Sequence, residues 1–235
     1  MWSPPYPVNV LTKAGLDELT AYVELMELPD FQPRPITKKL PFHTLDHEVK
    51  VRDVAVQFQR AITEQDWGFG YWIGDEDFEM WKGDYFTGQM IPDGFFLIDD
   101  GPRTWPHFLE IDMGTQTVVS GVKGGTTTIK DWRTKMERYL DYLPRFANDS
   151  LFAGLTDPIV LIVTTSSDRM QSLKKAAFEV GCRGMFWFTT FEQFGSEWPA
   201  SALNYIWTTP HEKTARSFAN RITSQGPSQR SSQRR

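Results

Sequence analysis

Three carboxylates stand where they could act together on one substrate. Asp93 lies in Pro92-Asp93-Gly94, and Glu110 and Asp112 lie inside the apolar segment Phe108–Met113. Residues two apart in a β-strand share a face, so Glu110 and Asp112 should point to the same side. Burying two acids is costly unless they are paired or bind a cation. With Asp93 they could hold Mg²⁺ or Mn²⁺, a type of ion that activates water against a phosphodiester.

Each carboxylate also has an explanation that involves no function. Pro-Asp-Gly is a favourable β-turn sequence, so Asp93 needs no further role. Glu110 and Asp112 would be explained equally well by an edge strand that turns both acids to water. The combination of the three acids on neighbouring predicted strands favours the metal-site interpretation.

Basic side chains flank the acidic strand and could help to bind DNA. They are Lys123, Lys130, Arg133, Lys135 and Arg138, followed by four arginines between Arg221 and Arg235. Lys130 or Lys135 could reach back to the acids, and the helix could follow a DNA backbone, although a solvated helix face is the default explanation. Lys123, in a glycine-rich loop, could touch a phosphate, and the arginine tail could add weak attraction to DNA.

The elements that must position these residues follow from hydrophobic periodicity and turn residues. The pattern predicts helices over Leu45–Glu64, Thr127–Leu143 and Asp168–Val180, and strands over Phe69–Ile73, Met90–Ile98, Thr104–Met113, Pro158–Val163 and Met185–Phe188. This order indicates an α/β fold with a mixed sheet flanked by helices. The strand after Pro158 should follow a crossover and run parallel to the acidic strand.

Composition excludes several classes of protein. The chain has 235 residues, 40% of them hydrophobic, which suffices for one sizeable core with a small appendage. A single cysteine, Cys182, excludes an internal disulfide framework. We find no secretory signal and no membrane-spanning run, so we expect a soluble cytoplasmic protein with no membrane partner. The net charge of −5 argues against broad nonspecific binding to nucleic acid.

The motifs resemble those of a known family. Pro92-Asp93, a turn, and then Phe108–Thr115 are similar to the signature of replication-relaxation proteins, which plasmids and mobile elements encode. Further similarity lies in Asn9–Leu16, which resembles the end of the family's winged-helix domain, in the His43–Phe58 helix, and in the Trp132–Tyr142 helix with Lys135 and Tyr139. The resemblance covers roughly residues 9–195.

The resemblance implies a restriction-endonuclease-like αβββαβ core of the PD-(D/E)xK superfamily. Residues 1–40 would be a remnant of the winged-helix wing with a short helix and linker, and residues 41–200 the nuclease-like domain. Residues 201–235 would form a C-terminal extension, disordered after about 221. Because the DNA-reading helix of a winged helix is missing, we expect the N-terminus to be truncated or supplied by another chain.

The resemblance also implies a function in the control of plasmid or mobile-element replication or mobilisation, with DNA and replication or mobilisation proteins as partners. Asp93, Glu110 and Asp112 would hold Mg²⁺ or Mn²⁺ for phosphodiester hydrolysis, with Lys135 or Lys130 as the positive helper. The alternative is a non-catalytic DNA-binding or protein-interaction module that keeps the fold.

Two positions qualify this implication. A PD-(D/E)xK nuclease has a lysine two residues after the glutamate, whereas this chain has Asp112, as members of the resembled family also do. Glu48, on the first long helix, lies roughly where some superfamily nucleases place an extra acid.

His43 and His47 could bind a metal with Asp46, although ordinary surface histidines are the commoner explanation.

Overall fold

The computed structural model describes residues 42–75, 78, 90–118, 131–149, 152–182, 184–195, 200–212 and 216–217. The chain divides into two compact units, Met1–Leu45 and Asp46–Arg235. Only residues 42–45 of the first unit are described. The predicted winged-helix remnant and the predicted disordered tail therefore lie outside the described residues.

The described elements include the predicted three helices and five strands, in the predicted order, followed by a short helix and two short strands. They are α1 (Phe42–Thr63), β1 (Gly68–Gly74), β2 (Gly94–Asp99), β3 (Thr104–Asp112), α2 (Trp132–Tyr142), β4 (Ile159–Thr164), α3 (Ser167–Glu179), β5 (Phe186–Thr190), α4 (Phe191–Gly195), β6 (Tyr205–Trp207) and β7 (Arg216–Ser217). Short 3-10 helices span Leu143–Asn148 and Ala200–Leu203. No helix among these residues is both long enough and apolar enough to cross a membrane.

Five of the strands form one mixed sheet in the order β1-β2-β3-β4-β5. Strands β1, β2 and β3 pair antiparallel, whereas β3, β4 and β5 pair parallel. The chain reaches β4 from β3 through helix α2, so the predicted parallel crossover is confirmed. The predicted αβββαβ order of a restriction-endonuclease-like core is likewise confirmed.

Strand β3 lies in the middle of this sheet, between β2 and β4. Its residues alternate as predicted: Phe108 packs in the core on one face, while Leu109 and Ile111 pack in the core on the other. Glu110 is 0% exposed and Asp112 2% exposed. The interpretation of β3 as an edge strand with both acids facing water is therefore wrong, because β4 covers the edge that would have been open.

Helix α2 carries the predicted lysine along one side of the sheet. Asp131 caps its start by accepting a hydrogen bond from the Thr134 N–H at 2.7 Å. Trp132, Met136 and Tyr139 form its buried face, at the spacing that the sequence predicted. The helix thereby brings its first turns close to the end of β3 where the acids lie.

The opposite side of the sheet is covered by α1 and by residues after position 200, where the predicted domain ends. Trp207 is fully buried and its ring centroid lies 6.0 Å from that of Phe58 on α1. Its indole N–H donates to the Ala202 carbonyl at 2.9 Å. The packed unit therefore continues at least to Trp207.

Candidate active site

Glu110 and Lys135 form an ion pair inside the protein. The Lys135 ammonium contacts Oε2 of Glu110, and the Tyr139 hydroxyl donates to Oε1 at 2.6 Å. Lys135 and Tyr139 are four residues apart, so both lie on the same face of α2 and reach one carboxylate. One acid of β3 is thus held from both oxygens by a single helix.

The electrostatics of this pair follow from burial and opposite charge. Burial raises the pKa of Glu110 to about 7, although the charge of Lys135 and the hydrogen bond from Tyr139 act in the other direction. Burial alone would lower the pKa of Lys135, but Glu110 and Asp93 more than offset it and raise that pKa. Lys135 therefore remains a cation, while Glu110 can change protonation near neutral pH.

Asp93 lies immediately before β2 and is tied to β3 on either side of Glu110. Its N–H donates to the Leu109 carbonyl at 3.1 Å, and its Oδ2 accepts the Ile111 N–H at 2.6 Å. Burial favours a raised pKa for Asp93, but the charges of Lys135 and His47 lower it overall. Asp93 is thus an ionised acid fixed beside Glu110, and it bonds to residues far beyond its own turn.

His47, on α1, brings a second positive charge to Asp93. Its Nε2 lies 3.3 Å from Oδ2 of Asp93, and its Nδ1 lies 3.7 Å from Oε1 of Glu48. Hydrogen bonds to Asp93 and Glu48 raise the pKa of His47 to about 10, so the imidazole is protonated at neutral pH. From the sequence, His47 was interpreted as an ordinary surface histidine, with metal binding as the alternative, and its contact with Asp93 was not predicted.

Asp112 faces the same side of the sheet as Glu110 but has different partners. Arg169 donates to both of its oxygens, from Nε at 2.7 Å and from Nη2 at 2.9 Å. The Trp132 indole donates at 2.9 Å, the Thr164 hydroxyl at 2.6 Å and the Gly114 N–H at 3.3 Å. Five hydrogen bonds thus reach the two oxygens of Asp112, which have about four lone-pair positions, whereas each oxygen of Glu110 accepts one. The contacts of Asp112 therefore do not support its predicted role as a metal ligand.

A divalent cation requires several oxygen ligands that are held close together. Within the part of the chain that the structure describes, no group of three or more His, Cys, Asp or Glu side chains could hold a metal ion. Asp93 and Glu110 remain as a pair of carboxylates. A pair fits Mg²⁺, which commonly binds one or two carboxylates and completes its octahedron with waters and phosphate oxygens.

The predicted basic residues do not all lie together. Lys135 turns inward to Glu110, while Arg133 lies 3.2 Å from Glu137 and 3.9 Å from Glu179. Arg138 is half-buried on the same helix. Lys123, Lys130 and the arginine tail lie outside the described residues. In the described part of α2, acids thus neutralise two of the positive charges that were predicted to face DNA.

The element order and the mixed five-stranded sheet define an α/β protein with the αβββαβ order expected of a restriction-endonuclease-like core. Among models of protein families, the model of the replication-relaxation family matches residues 5–151 of this chain. That match spans more than half of the sequence. The chain belongs to the replication-relaxation family, as the motifs around Asp93 and Glu110 indicated.

Comparison with individual proteins adds little to the family match. The structure of the restriction endonuclease FokI bound to DNA is similar to this chain, with 12% sequence identity and a TM-score of 0.28. The similarity covers 78% of this chain and 29% of that one, so this chain spans less than a third of the length of that protein. No curated protein matches the sequence.

Proposed function

We propose that the protein acts on DNA in the replication or mobilisation of a plasmid or mobile element, and that its Asp93–Glu110–Lys135 cluster cleaves phosphodiester bonds. The observation that carries the proposal is the contact of Lys135 with Glu110 beside Asp93. Two acids and a lysine are the groups that a PD-(D/E)xK site uses, and here the lysine comes from helix α2. Membership in the replication-relaxation family supports DNA as the partner.

Asp93 and Glu110 are the residues that would hold Mg²⁺ or Mn²⁺, which would activate water and stabilise charge on the phosphate. Lys135 keeps its proton and would supply a positive charge that stabilises a phosphate oxygen. Tyr139 orients Glu110 through its hydroxyl. Both acids already contact cationic side chains, so a divalent cation would have to draw them away from Lys135 and His47.

A second candidate is a DNA-binding or protein-interaction module that does not cleave. Asp112 favours it, because this acid stands where the superfamily nucleases carry a lysine and is held by Arg169. In that case the buried charges would stabilise the fold, and the protein would bind its partner without reacting with it.

Cleavage of plasmid DNA separates the two candidates. Supercoiled and linear DNA are incubated with Mg²⁺ or Mn²⁺ and either the natural protein or the Asp93→Ala/Glu110→Ala double variant. The proposal predicts nicking or cutting that requires the cation and disappears in the double variant. A Glu137→Ala/Asp141→Ala variant is the matched control, because it removes two exposed acids from α2.

The control variant should cleave at the rate of the natural protein. Absence of cleavage by the natural protein, or equal cleavage by the Asp93→Ala/Glu110→Ala variant, would overturn the nuclease proposal. If a gel-shift measurement then shows DNA binding without cleavage, the second candidate is supported.

A further inference from the structure

A second buried group of side chains lies next to the acid–lysine cluster. We call Asp112, Trp132, Thr164 and Arg169 the anchor group, because their hydrogen bonds join the end of β3 to three other parts of the fold. Trp132 is the first residue of α2, Thr164 ends β4, and Arg169 lies in the first turn of α3. Asp112 is the common acceptor of all three.

Arg169 also holds the segment that leads away from β3. Its Nη2 donates to the Gln116 carbonyl at 2.6 Å. The next two carbonyls, of Thr117 and Val118, accept the N–H groups of Trp132 and Arg133, each at 3.1 Å. These acceptors satisfy two of the amides that the first turn of a helix leaves without partners.

Two sets of contacts therefore run from Arg169 to the start of α2. One passes through Asp112 to the Trp132 indole, and the other passes through Gln116 and its neighbours to the first amides of the helix. Lys135 follows Trp132 by three residues, and its ammonium lies 5.5 Å from the centre of the Trp132 ring. The position of this ammonium thus depends on where the helix begins.

We propose that Arg169 is a positioning residue for Lys135: it fixes the start of α2 so that the Lys135 ammonium meets Glu110. The importance of this contact for catalysis rests on the proposed function, whereas the positioning itself does not. The proposal gives Asp112 a role other than metal binding. Asp112 stands where the motif would have a lysine, and through Arg169 and Trp132 it helps to position Lys135 on α2. A guanidinium suits this role, since its planar fork donates to both carboxylate oxygens and to a third acceptor.

Amine labelling of the folded protein tests the inference. Lysines are reductively methylated in native buffer, and the rates at Lys135 and Lys175 are compared by peptide mass spectrometry. Lys175 is the internal reference, because its side chain is 79% exposed whereas that of Lys135 is 20% exposed and paired with Glu110. We expect Arg169→Met to raise the ratio of the Lys135 rate to the Lys175 rate by about tenfold, since charged hydrogen bonds are lost.

Two further variants make the result specific. Arg169→Lys keeps the charge but not the fork, so its ratio should lie between those of the natural protein and Arg169→Met. Arg145→Met removes an arginine that pairs with Asp141 on the surface, and it should leave the ratio unchanged. If Arg169 only stabilised the fold, Arg169→Met would lower the free energy of unfolding without changing the labelling of Lys135 in the folded state.

The inference is overturned if Arg169→Met, shown to be folded by circular dichroism, labels at Lys135 like the natural protein. If Arg169→Met does not fold, the test uses Arg169→Lys. A ratio of the Lys135 rate to the Lys175 rate equal to that of the natural protein then overturns the inference. Labelling requires no DNA and no metal. A protein that cleaves nothing can therefore still confirm the positioning of Lys135, and a failed positioning test leaves the cleavage proposal standing.

Discussion

Lys135 on helix α2 pairs with Glu110 on strand β3, across 25 residues of sequence. In the PD-(D/E)xK pattern that the resemblance implies, a lysine follows the glutamate by two residues on the same strand, whereas this chain has Asp112 there. Helix α2 thus supplies, through Lys135, the positive charge that strand β3 lacks beside Glu110. This relationship explains how a chain without the motif lysine still has an acid–lysine cluster.

Coupling between Glu110 and Lys135 should be measurable in a double-mutant cycle. Lys135→Met leaves a buried acid without its cation, and we expect it to lower the free energy of unfolding by about 3 kcal/mol. Glu110→Gln should do the same to a smaller extent, because Asp93 still faces Lys135. The double variant should be more stable than the sum of the two changes predicts, by about 1–3 kcal/mol in urea unfolding.

The surface pair of Lys175 and Glu179, 4.0 Å apart, is the control for this cycle. Its coupling should not exceed about 0.5 kcal/mol, as for exposed pairs on a helix. Additive effects of the Glu110 and Lys135 changes would contradict the buried ion pair.

Tyr139→Phe should destabilise the protein through Glu110. The variant removes a buried hydroxyl that donates to Oε1 at 2.6 Å, and we expect a loss of about 1–2 kcal/mol in the free energy of unfolding. Tyr142→Phe, on the same helix, removes a hydroxyl that donates to Asp149 at 3.0 Å in a less buried place. If thermal or urea unfolding shows Tyr142→Phe to be the more harmful change, the importance of Tyr139 is refuted.

Asp112→Asn should lower stability in a way that depends on pH. At neutral pH we expect a loss of about 3 kcal/mol in the free energy of unfolding, because Arg169 loses its charged partner. Burial would raise the pKa of Asp112, but Arg169, Thr164 and Trp132 lower it below 3.8 in the folded protein. Ionised Asp112 therefore stabilises the fold above the unfolded pKa, and this stability is lost as pH falls through the lower folded pKa.

Urea unfolding at several pH values checks the sign of this effect. The difference between the natural protein and Asp112→Asn should be constant from neutral pH to about pH 5 and should shrink below about pH 4. Asp141→Asn, which alters an exposed pair with Arg145, should cost no more than about 1 kcal/mol at neutral pH. A difference that grows as the pH falls would refute the assignment.

Trp207→Ala tests whether residues after position 200 belong to the packed unit. The side chain is fully buried against Phe58 and Phe194, so we expect a loss of about 3–5 kcal/mol in the free energy of unfolding. Val56→Ala, at a position 46% exposed on α1, should change stability by no more than about 0.5 kcal/mol. Equal effects of the two changes would show that this segment does not stabilise the domain.

Local patterns predicted the sheet and the acids well. The period-two pattern placed Glu110 and Asp112 on one face of β3, and the apolar run after Pro158 predicted the parallel strand β4. The same patterns left open whether β3 lies at an edge, because the neighbours of a strand are set by the tertiary fold.

The partners of the acids were harder to predict, because they come from distant elements. His47 lies on helix α1, and strand β1 separates this helix from Asp93 along the chain. Arg169 follows Asp112 by 57 residues. One signal was present: if β3 and β4 are parallel, the helix that begins after β4 starts near the end of β3. That reasoning would have brought Arg169 towards Asp112, although Arg169 was not among the residues singled out from the sequence.

The central claim is that Lys135 and the two acids form a site that cleaves DNA. Its most direct test is the rate at which a linear DNA fragment is cut, with protein in excess and Mg²⁺ or Mn²⁺ present, by the natural protein and by Lys135→Met. We expect cation-dependent cutting that Lys135→Met slows by about 100-fold or more while gel-shift binding of DNA persists. No cutting by the natural protein, or equal rates for the two proteins, would contradict the central claim.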